Sequence, residues 1–312
     1  MSVRPSLGSW TVYGLGTENQ NLPAFVTLSQ SGRAAGGDRQ FGNAFLPAWC
    51  CGTGIPTKDA SVTKMIEYIR SGTTSIQEQR RQLDLLREMH DRYAGTHGED
   101  PLLDGRAQAF ETAFRMQVEA TDAFDLSREP AHIRELYGDG SDGRQLLLAR
   151  RLAERGVRFV QVRTSGWDTH DRNDEQHREL TAACDQPLHA LLSDLKQRDM
   201  LKDTLVIWGG EFGRTPTSDM VNVASKKGVG RDHNAGGFSL WMAGGGVKPG
   251  TVYGSTDDFG ALAAENKVEI HDWHATILHL LGFDHEKLTY RYSGRDFRLT
   301  DVHGEVLQGI LA

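Results

Sequence analysis

The chain is poor in cysteine, has no long apolar run and carries no basic excess, and each absence excludes a class of protein. Only three cysteines, Cys50, Cys51 and Cys184, occur in 312 residues. This excludes a disulfide framework, and no CxxC pair is present for a thiolate zinc knuckle. No apolar run reaches the roughly 18 residues of a membrane span. The formal net charge of −7 argues against nucleic-acid binding, for which a basic face supplies most of the affinity.

Several familiar catalytic and targeting motifs are also missing. Residues 1–5 lack the charged and apolar regions of a secretory signal, so we expect a cytoplasmic location. Residues 244–246 are three glycines without the strand–GxGxxG–helix context of a dinucleotide loop. No GxSxG elbow is present, which removes the common serine-hydrolase interpretation. What remains is a chain long enough to bury a sizeable core as one large or two small domains.

From residue 144 onward, apolar runs alternate with amphipathic segments. The predicted strands are 157–163, 204–208 and 238–243. The predicted helices are 146–155, 174–199 and 273–281. Repeated helix–strand units of this length are typical of an α/β protein with a doubly wound, mostly parallel sheet and helices on both faces.

The first half of the chain predicts less regular structure and a pair of long helices. Residues 1–57 are rich in Gly, Pro and Asn, and we predict one strand at 22–28 with loop elsewhere. Two helices are predicted at 74–97 and 101–123, the second beginning at a proline that suits a first helical turn. We interpret residues 74–123 as a helical insertion in a single α/β domain that covers the chain.

Three polar clusters carry the chemistry. They lie at 166–170 (GWDTH), 209–216 (GGEFGRTP) and 230–234 (GRDHN), and the first two follow predicted strands. In open α/β sheets, sites form at the carboxyl ends of the strands. Carboxylates and imidazoles together suit a divalent metal, namely zinc, manganese, magnesium or calcium. The alternative is ordinary turn and capping chemistry, since Asp, Asn, Thr and Gly favour both.

The clusters supply a specific set of candidate site residues. The predicted metal ligands, four of which we expect to converge in one cavity, are Asp168, His170, Glu211 and His233, with Asp232 beside them. Arg214 and Arg231 are predicted to bind an oxyanion, because a guanidinium can donate two parallel hydrogen bonds to one.

At these clusters the chain resembles a known family. Together with 6–10 (SLGSW), 13–23 (YGLGTENQNLP) and 294–297 (GRDF), they resemble the sulfatase-like family catalogued as domain of unknown function 1501. That family is abundant in planctomycete bacteria and is assigned to the alkaline phosphatase superfamily. The resemblance covers nearly the whole chain.

The resemblance implies an alkaline phosphatase-like fold with a two-metal site that hydrolyses phosphate or sulfate esters. Asp168 and His170 resemble the superfamily's Asp and His ligands, and His233 resembles its late metal-binding His. Glu211 resembles the Asp of an Asp-His pair, with Phe212 where that His would be. The implied substrate is a small anionic ester or a sulfated or phosphorylated saccharide.

Two departures from the family lead to a second hypothesis. Phe212 cannot bind a metal, and family members normally begin with an export signal and a strand carrying a Gly-Gly-Pro-Ser and Asp loop. We therefore expect this chain to be N-terminally incomplete relative to the family, and an exported location where the gene encodes that signal. The leading function is a metal-dependent ester hydrolase with weak or absent turnover. The alternative is a non-catalytic binding or structural protein with the same fold.

Overall fold

The computed structural model describes residues 4–30, 41–66, 73–219 and 229–312 of a mixed α/β protein. The helices within them are α1 (Leu7–Leu15), α2 (Val62–Met65), α3 (Ile76–His97), α4 (Pro101–Phe124), α5 (Ala131–Tyr137), α6 (Ser141–Glu154), α7 (Asn173–Gln197) and α8 (Ile270–Leu280). The strands are β1 (Phe25–Ser29), β2 (Thr53–Pro56), β3 (Phe159–Val162), β4 (Val206–Trp208), β5 (Gly213–Asp219), β6 (Gly230–Asn234), β7 (Trp241–Ala243), β8 (Ser255–Thr256), β9 (Ala263–Glu265), β10 (Tyr290–Tyr292) and β11 (Arg295–Phe297). The chain divides into two compact units, unit 1 (residues 1–163) and unit 2 (residues 164–312).

Unit 1 is built on a three-stranded parallel sheet with β1 at its centre. β1 pairs with β2 on one side and with β3 on the other. All five residues of β1 are buried, as expected for a parallel strand covered on both faces. Val26 and Leu28 share a core with Leu148 and Leu152 of α6. Phe25, which points to the opposite face, forms a second cluster around α1.

The prediction of loop structure around a single strand in residues 1–57 is wrong for two segments, which form α1 and β2. The side chain of Ser6 caps α1 by accepting a hydrogen bond from the Ser9 backbone. Gly8 allows α1 to lie against the Phe25 ring, since a Cβ at this position would be 2.5 Å from a ring carbon. The residues of α1 are mostly poor helix formers, so burial rather than local propensity accounts for the helix.

The predicted pair of long helices is confirmed as α3 and α4, which lie together in unit 1. Ser75 and Glu78 form a reciprocal capping box at the start of α3, and Pro101 occupies the first turn of α4. α3 contains no buried residue, and Leu85 and Met89 remain 58% and 61% exposed. The apolar stripe of α3 is therefore largely a solvent-facing surface.

A buried ion cluster fastens α6 within unit 1. The Glu129 carboxylate pairs with Arg150 at 2.6 Å and also with Arg151. Arg151 donates a further hydrogen bond of 2.9 Å to the Ala123 carbonyl at the end of α4. Burial raises the pKa of Glu129, but the two guanidinium groups outweigh that effect and hold it below its usual value. The carboxylate therefore stays ionised in the interior.

In unit 2 the described strands pair as antiparallel ladders. β4 pairs with β7, β5 with β6, β8 with β9 and β10 with β11. The prediction that one sheet contains 157–163, 204–208 and 238–243 is therefore wrong, because β3 pairs with β1 whereas β4 pairs with β7. The described residues between β4 and β7 form the β5–β6 hairpin, and none of them forms the crossover helix that a parallel pairing requires.

The predicted helices of the second half are confirmed with small shifts in their ends, as α6, α7 and α8. α7 begins at Asn173, shortly after the first polar cluster ends at residue 170, and β4 ends directly before the second. Among the described residues, no helix combines the length and apolar character needed to cross a membrane.

Candidate metal centre

Three segments of unit 2 supply the candidate site. The first is the loop 164–172 before α7, the second is 209–212 after β4, and the third is the β5–β6 hairpin. Each contains one of the polar clusters of the sequence. The hairpin is the most regular part, so its register determines which side chains share a face.

The register of the hairpin places Arg214 directly opposite His233. Residues opposite one another in an antiparallel pair project from the same face and have neighbouring side chains. Beyond this pair the register shifts, which marks an irregularity in β5 between Arg214 and Ser218. The hairpin therefore presents one cation and one imidazole side by side.

The loop carrying Asp168 and His170 is fastened to the start of β6. The Asn173 amide donates to the Val229 carbonyl at 2.9 Å, and the Arg231 amide donates to the Thr169 carbonyl at 3.4 Å. Gly230 lies against the loop so closely that a Cβ would be 1.9 Å from the His170 carbonyl oxygen. Only glycine fits there, and this approach brings His170 beside β6.

Asp168, His170 and His233 form a compact group of potential ligands. One ligand atom from each lies within 4.8 Å of the others. The Asp168 carboxylate oxygen Oδ1 is 3.0 Å from His170 Nε2 and 3.1 Å from His233 Nε2. Both imidazoles thus direct the same ring nitrogen toward one carboxylate oxygen, and their ring centroids are 5.2 Å apart.

Glu211 lies on the other side of His233. Its Oε1 is 3.4 Å from His233 Nδ1, within ion-pair distance but outside hydrogen-bond geometry. The Phe212 ring meets the His233 imidazole edge to face at 6.1 Å. These distances bring Asp168, His170, Glu211 and His233 close together, whereas a shared cavity and a role as metal ligands stay predictions.

Arg214 supplies positive charge to the group. Its Nη2 donates to the Trp167 carbonyl at 2.7 Å and to Asp168 Oδ1 at 3.1 Å. Its side chain is 13% exposed, whereas that of Asp168 is 68% exposed. The guanidinium is thus held in place beneath a carboxylate that faces solvent.

The charges around Asp168 shift its acidity. Partial burial raises its pKa, but the hydrogen bond from Arg214 and the charges of His170, Arg214 and His233 together hold the pKa below its usual value. Asp168 is therefore ionised at neutral pH and can act as a metal ligand without first losing a proton.

Two buried polar atoms of this group have no hydrogen-bond partner among the described residues. They are Arg214 Nη1 and His233 Nδ1. Buried donors and acceptors in proteins are nearly always paired with protein or with ordered water. Within the described residues, these two atoms are exceptions to that rule.

The remaining two predicted site residues lie in other surroundings. Asp232 precedes His233 on β6, so its side chain projects to the opposite face, and its Oδ1 accepts the His233 amide at 2.8 Å. Arg231 donates to the carbonyls of Thr215 and Pro216 at 2.8 and 2.6 Å. It thereby satisfies carbonyls at the irregularity in β5. Among the described residues, the compact ligand group does not include Asp232.

The sequence interpretation missed a polar network that supports the loop. Thr169 is buried, and its hydroxyl accepts a hydrogen bond of 2.6 Å from Asn173 Nδ2. Asn173 Nδ2 is also 2.9 Å from His177 Nδ1. The signal in the sequence was the spacing of four between Asn173 and His177, which places both on one face of a helix.

Comparison with protein-family models gives a match over nearly the whole chain. A family model described as "Protein of unknown function (DUF1501)" covers residues 1–311, so the chain belongs to this family. No curated protein and no solved structure matches the chain.

Proposed function

We propose that this protein is a metal-dependent hydrolase of phosphate or sulfate esters, related to the alkaline phosphatase superfamily. The observation that carries the proposal is the convergence of Asp168, His170 and His233 within 4.8 Å, with Arg214 hydrogen-bonded to Asp168. Ligand atoms that approach so closely suit a single divalent ion. A neighbouring guanidinium suits the anionic group of an ester.

The side chains fit a divalent metal by their chemistry. Two imidazole nitrogens and one carboxylate oxygen form a donor set typical of zinc, and the nearby Glu211 offers a further oxygen. The unpaired Nδ1 of His233 lies toward Glu211, so that carboxylate is placed either to bind the ion or to orient the imidazole. When bound, the metal would polarise an ester oxygen and lower the pKa of water.

Arg214 is suited to hold the substrate anion. One nitrogen, Nη2, is committed to Trp167 and Asp168, which fixes the plane of the guanidinium. The other, Nη1, is buried and has no partner among the described residues. The positive charge of the guanidinium as a whole would stabilise a phosphate or sulfate group as charge develops on its equatorial oxygens. We keep Arg231 out of this role because backbone carbonyls occupy Nη1 of its guanidinium.

Three tryptophan rings, beginning at Trp167 beside Asp168, suit the organic part of an ester substrate. The Trp167 and Trp208 rings meet edge to face at 6.0 Å, and Trp208 stacks on Trp241 at 6.4 Å. All three indoles are half-buried. Such rings provide the apolar face on which an aryl group or a sugar ring packs. We therefore include sulfated and phosphorylated saccharides in the proposed substrate class.

Phe212 favours a second candidate, a binding protein without turnover. Its ring contacts the imidazole of His233 at 6.1 Å, a place where another ligand would be needed for a second ion. A site with one ion lacks the paired-metal clamp on the attacking and leaving oxygens. For this reason we expect slow hydrolysis even with metal supplied.

The test combines metal binding with turnover. Titration calorimetry with Zn²⁺ and Mn²⁺ should show at most one bound ion at this site, held with low affinity. Asp168→Ala and His233→Ala should each weaken that binding on the order of 100-fold, because a ligand is lost. Glu211→Ala should weaken it less, since Glu211 lies at the edge of the group. Each variant should lower the metal affinity while leaving the melting temperature of the metal-free protein nearly unchanged.

Hydrolysis of aryl phosphate and aryl sulfate then separates the two candidates. Slow turnover that Asp168→Ala and Arg214→Lys abolish supports the hydrolase, whereas metal binding without turnover supports the binding protein. Asp258→Ala and His279→Ala, at exposed positions of unit 2, serve as matched controls that should change neither property. Metal affinity that is equal in the control and site variants would overturn both candidates.

A further inference from the structure

A second cluster of titratable side chains lies at the start of α8, away from the residues of the candidate metal centre in the sequence. It lines a cavity of about 700 Å³ in unit 2. The lining contains two imidazoles, His271 and His303, and four carboxylates. The carboxylates are Glu269, Asp272, Glu286 and Glu305.

The segment after β11 is fastened onto α8, and this brings the two histidines together. The Glu305 amide donates to Asp272 Oδ1 at 2.8 Å. One turn further, the Leu307 amide donates to the Thr276 hydroxyl at 3.0 Å. Gly304 permits the close approach, since a Cβ there would lie 2.9 Å from the His271 carbonyl oxygen.

Most of the carboxylates in the cavity already have partners. Glu269 and Asp272 form the capping box of α8. Glu286 pairs with Arg298 at 3.1 Å. Among the described residues, the Glu305 carboxylate has neither an ion pair nor a hydrogen bond, which leaves it available to a ligand.

The two histidines are also uncommitted. Their ring centroids are 5.0 Å apart with the planes tilted by 48°, and neither imidazole has a hydrogen bond within the described part of the chain. The spacing resembles that of His170 and His233, 5.2 Å, in the candidate metal centre. Two imidazoles about 5 Å apart can direct one nitrogen each at a common ion with metal–nitrogen distances near 2 Å.

The electrostatic surroundings favour a cation. The N-terminal end of a helix carries partial positive charge, which by itself repels cations. Here Glu269 and Asp272 lie on that end and offset it, and Glu305 adds a carboxylate without a basic partner. Imidazole ligands select zinc, copper and nickel over magnesium and calcium.

We propose that His271 and His303 form a second metal site, which binds a divalent transition ion such as Zn²⁺, Cu²⁺ or Ni²⁺ with Glu305 at its edge. With only two imidazoles, the ion would keep water in its remaining positions and bind more weakly than at a site with three protein ligands. The site is independent of the proposed hydrolysis, because it shares no residue with the Asp168 group.

The experiment uses a background that lacks the first site, the full chain with Asp168→Ala and His233→Ala. Calorimetric titration with Cu²⁺ should still show one equivalent of binding in this background. Adding His271→Gln or His303→Gln should weaken that binding on the order of tenfold or more. His279→Gln, an exposed histidine on the same helix, is the matched control and should leave it unchanged.

Electron paramagnetic resonance of the bound Cu²⁺ counts the coordinating imidazole nitrogens, a readout that a general loss of stability would not reproduce. The background protein should show hyperfine coupling to two imidazole nitrogens, and each single histidine variant should show one. Loss of all binding in the background protein, or binding that both histidine variants leave unchanged, would overturn the second site. Either result leaves the proposal for the Asp168 group unaffected.

Discussion

The imidazole of His274 shows how strongly burial changes a single residue in α8. Burial and, to a smaller extent, the charge of His271 together lower its pKa to about 4. The folded protein therefore holds His274 neutral at a pH at which the unfolded chain, with a pKa near 6.5, already binds a proton. A pH-dependent stability follows from this difference.

We expect the contribution of His274 to the free energy of unfolding to be constant above pH 6.5. Between pH 6.5 and pH 4 this contribution should fall. The unfolded state binds the additional proton in that window, so the total loss is about 3 kcal/mol by pH 4. Urea unfolding at a series of pH values, with a chelator present, measures it. In His274→Gln the slope between pH 4 and 6.5 should be smaller, and an unchanged slope would contradict the assignment.

At the scale of elements, α6 contains two buried arginines whose charges are compensated in part by a carboxylate outside the helix. Arg150 and Arg151 are almost fully buried, and Glu129, which compensates them, precedes α5. Removing one partner of a buried pair leaves an uncompensated charge in the interior, which costs far more than losing an exposed pair.

Glu129→Gln should therefore lower the free energy of unfolding by about 3 kcal/mol. Arg92→Ala is the matched control, because Arg92 pairs with Glu88 on the exposed surface of α3. Loss of that pair should cost less than about 1 kcal/mol. Denaturant midpoints of the two variants measure the contrast, and equal midpoints would mean that the buried cluster does not stabilise unit 1.

The elements themselves show what the sequence could predict. Periodic apolar residues located α3, α4, α6, α7 and α8, because a long amphipathic pattern is a local property. The pattern missed α1, whose helix depends on packing against Phe25. It also assigned β4 to a parallel sheet, because an apolar run marks a buried strand but does not identify its partner.

The candidate site was predictable to a similar degree. Asp168, His170, Glu211 and His233 were found because each lies in a Gly-flanked polar cluster near an apolar run. The sequence groups Asp232 with His233 because the two residues are adjacent, whereas in a strand adjacent residues face opposite sides. The network of Thr169, Asn173 and His177 depends on where α7 begins, which no single residue specifies.

At the scale of the whole molecule, the ligand group lies entirely in unit 2. A ligand that binds only the folded state stabilises the segments that it connects. Addition of Zn²⁺ should therefore slow amide hydrogen exchange in 167–173, 209–214 and 230–234. Exchange in β1, β2 and β3 of unit 1 should not change.

Mass spectrometry of proteolytic fragments after exchange resolves these segments. In Asp168→Ala the Zn²⁺-dependent protection around residues 230–234 should disappear. Protection that spreads equally through unit 1 would contradict a local site.

The contact between Gly230 and the His170 carbonyl has a consequence for how the protein is made. A ribosome synthesises Asp168 and His170 well before His233, and these early ligands are joined to the later one only through the approach of β6. During synthesis the chain therefore passes through a stage in which two of the three ligands have emerged and the third has not. Metal capture is expected to coincide with the arrival of β6, so the ion would act as a marker that the β5–β6 hairpin has joined the loop 164–172.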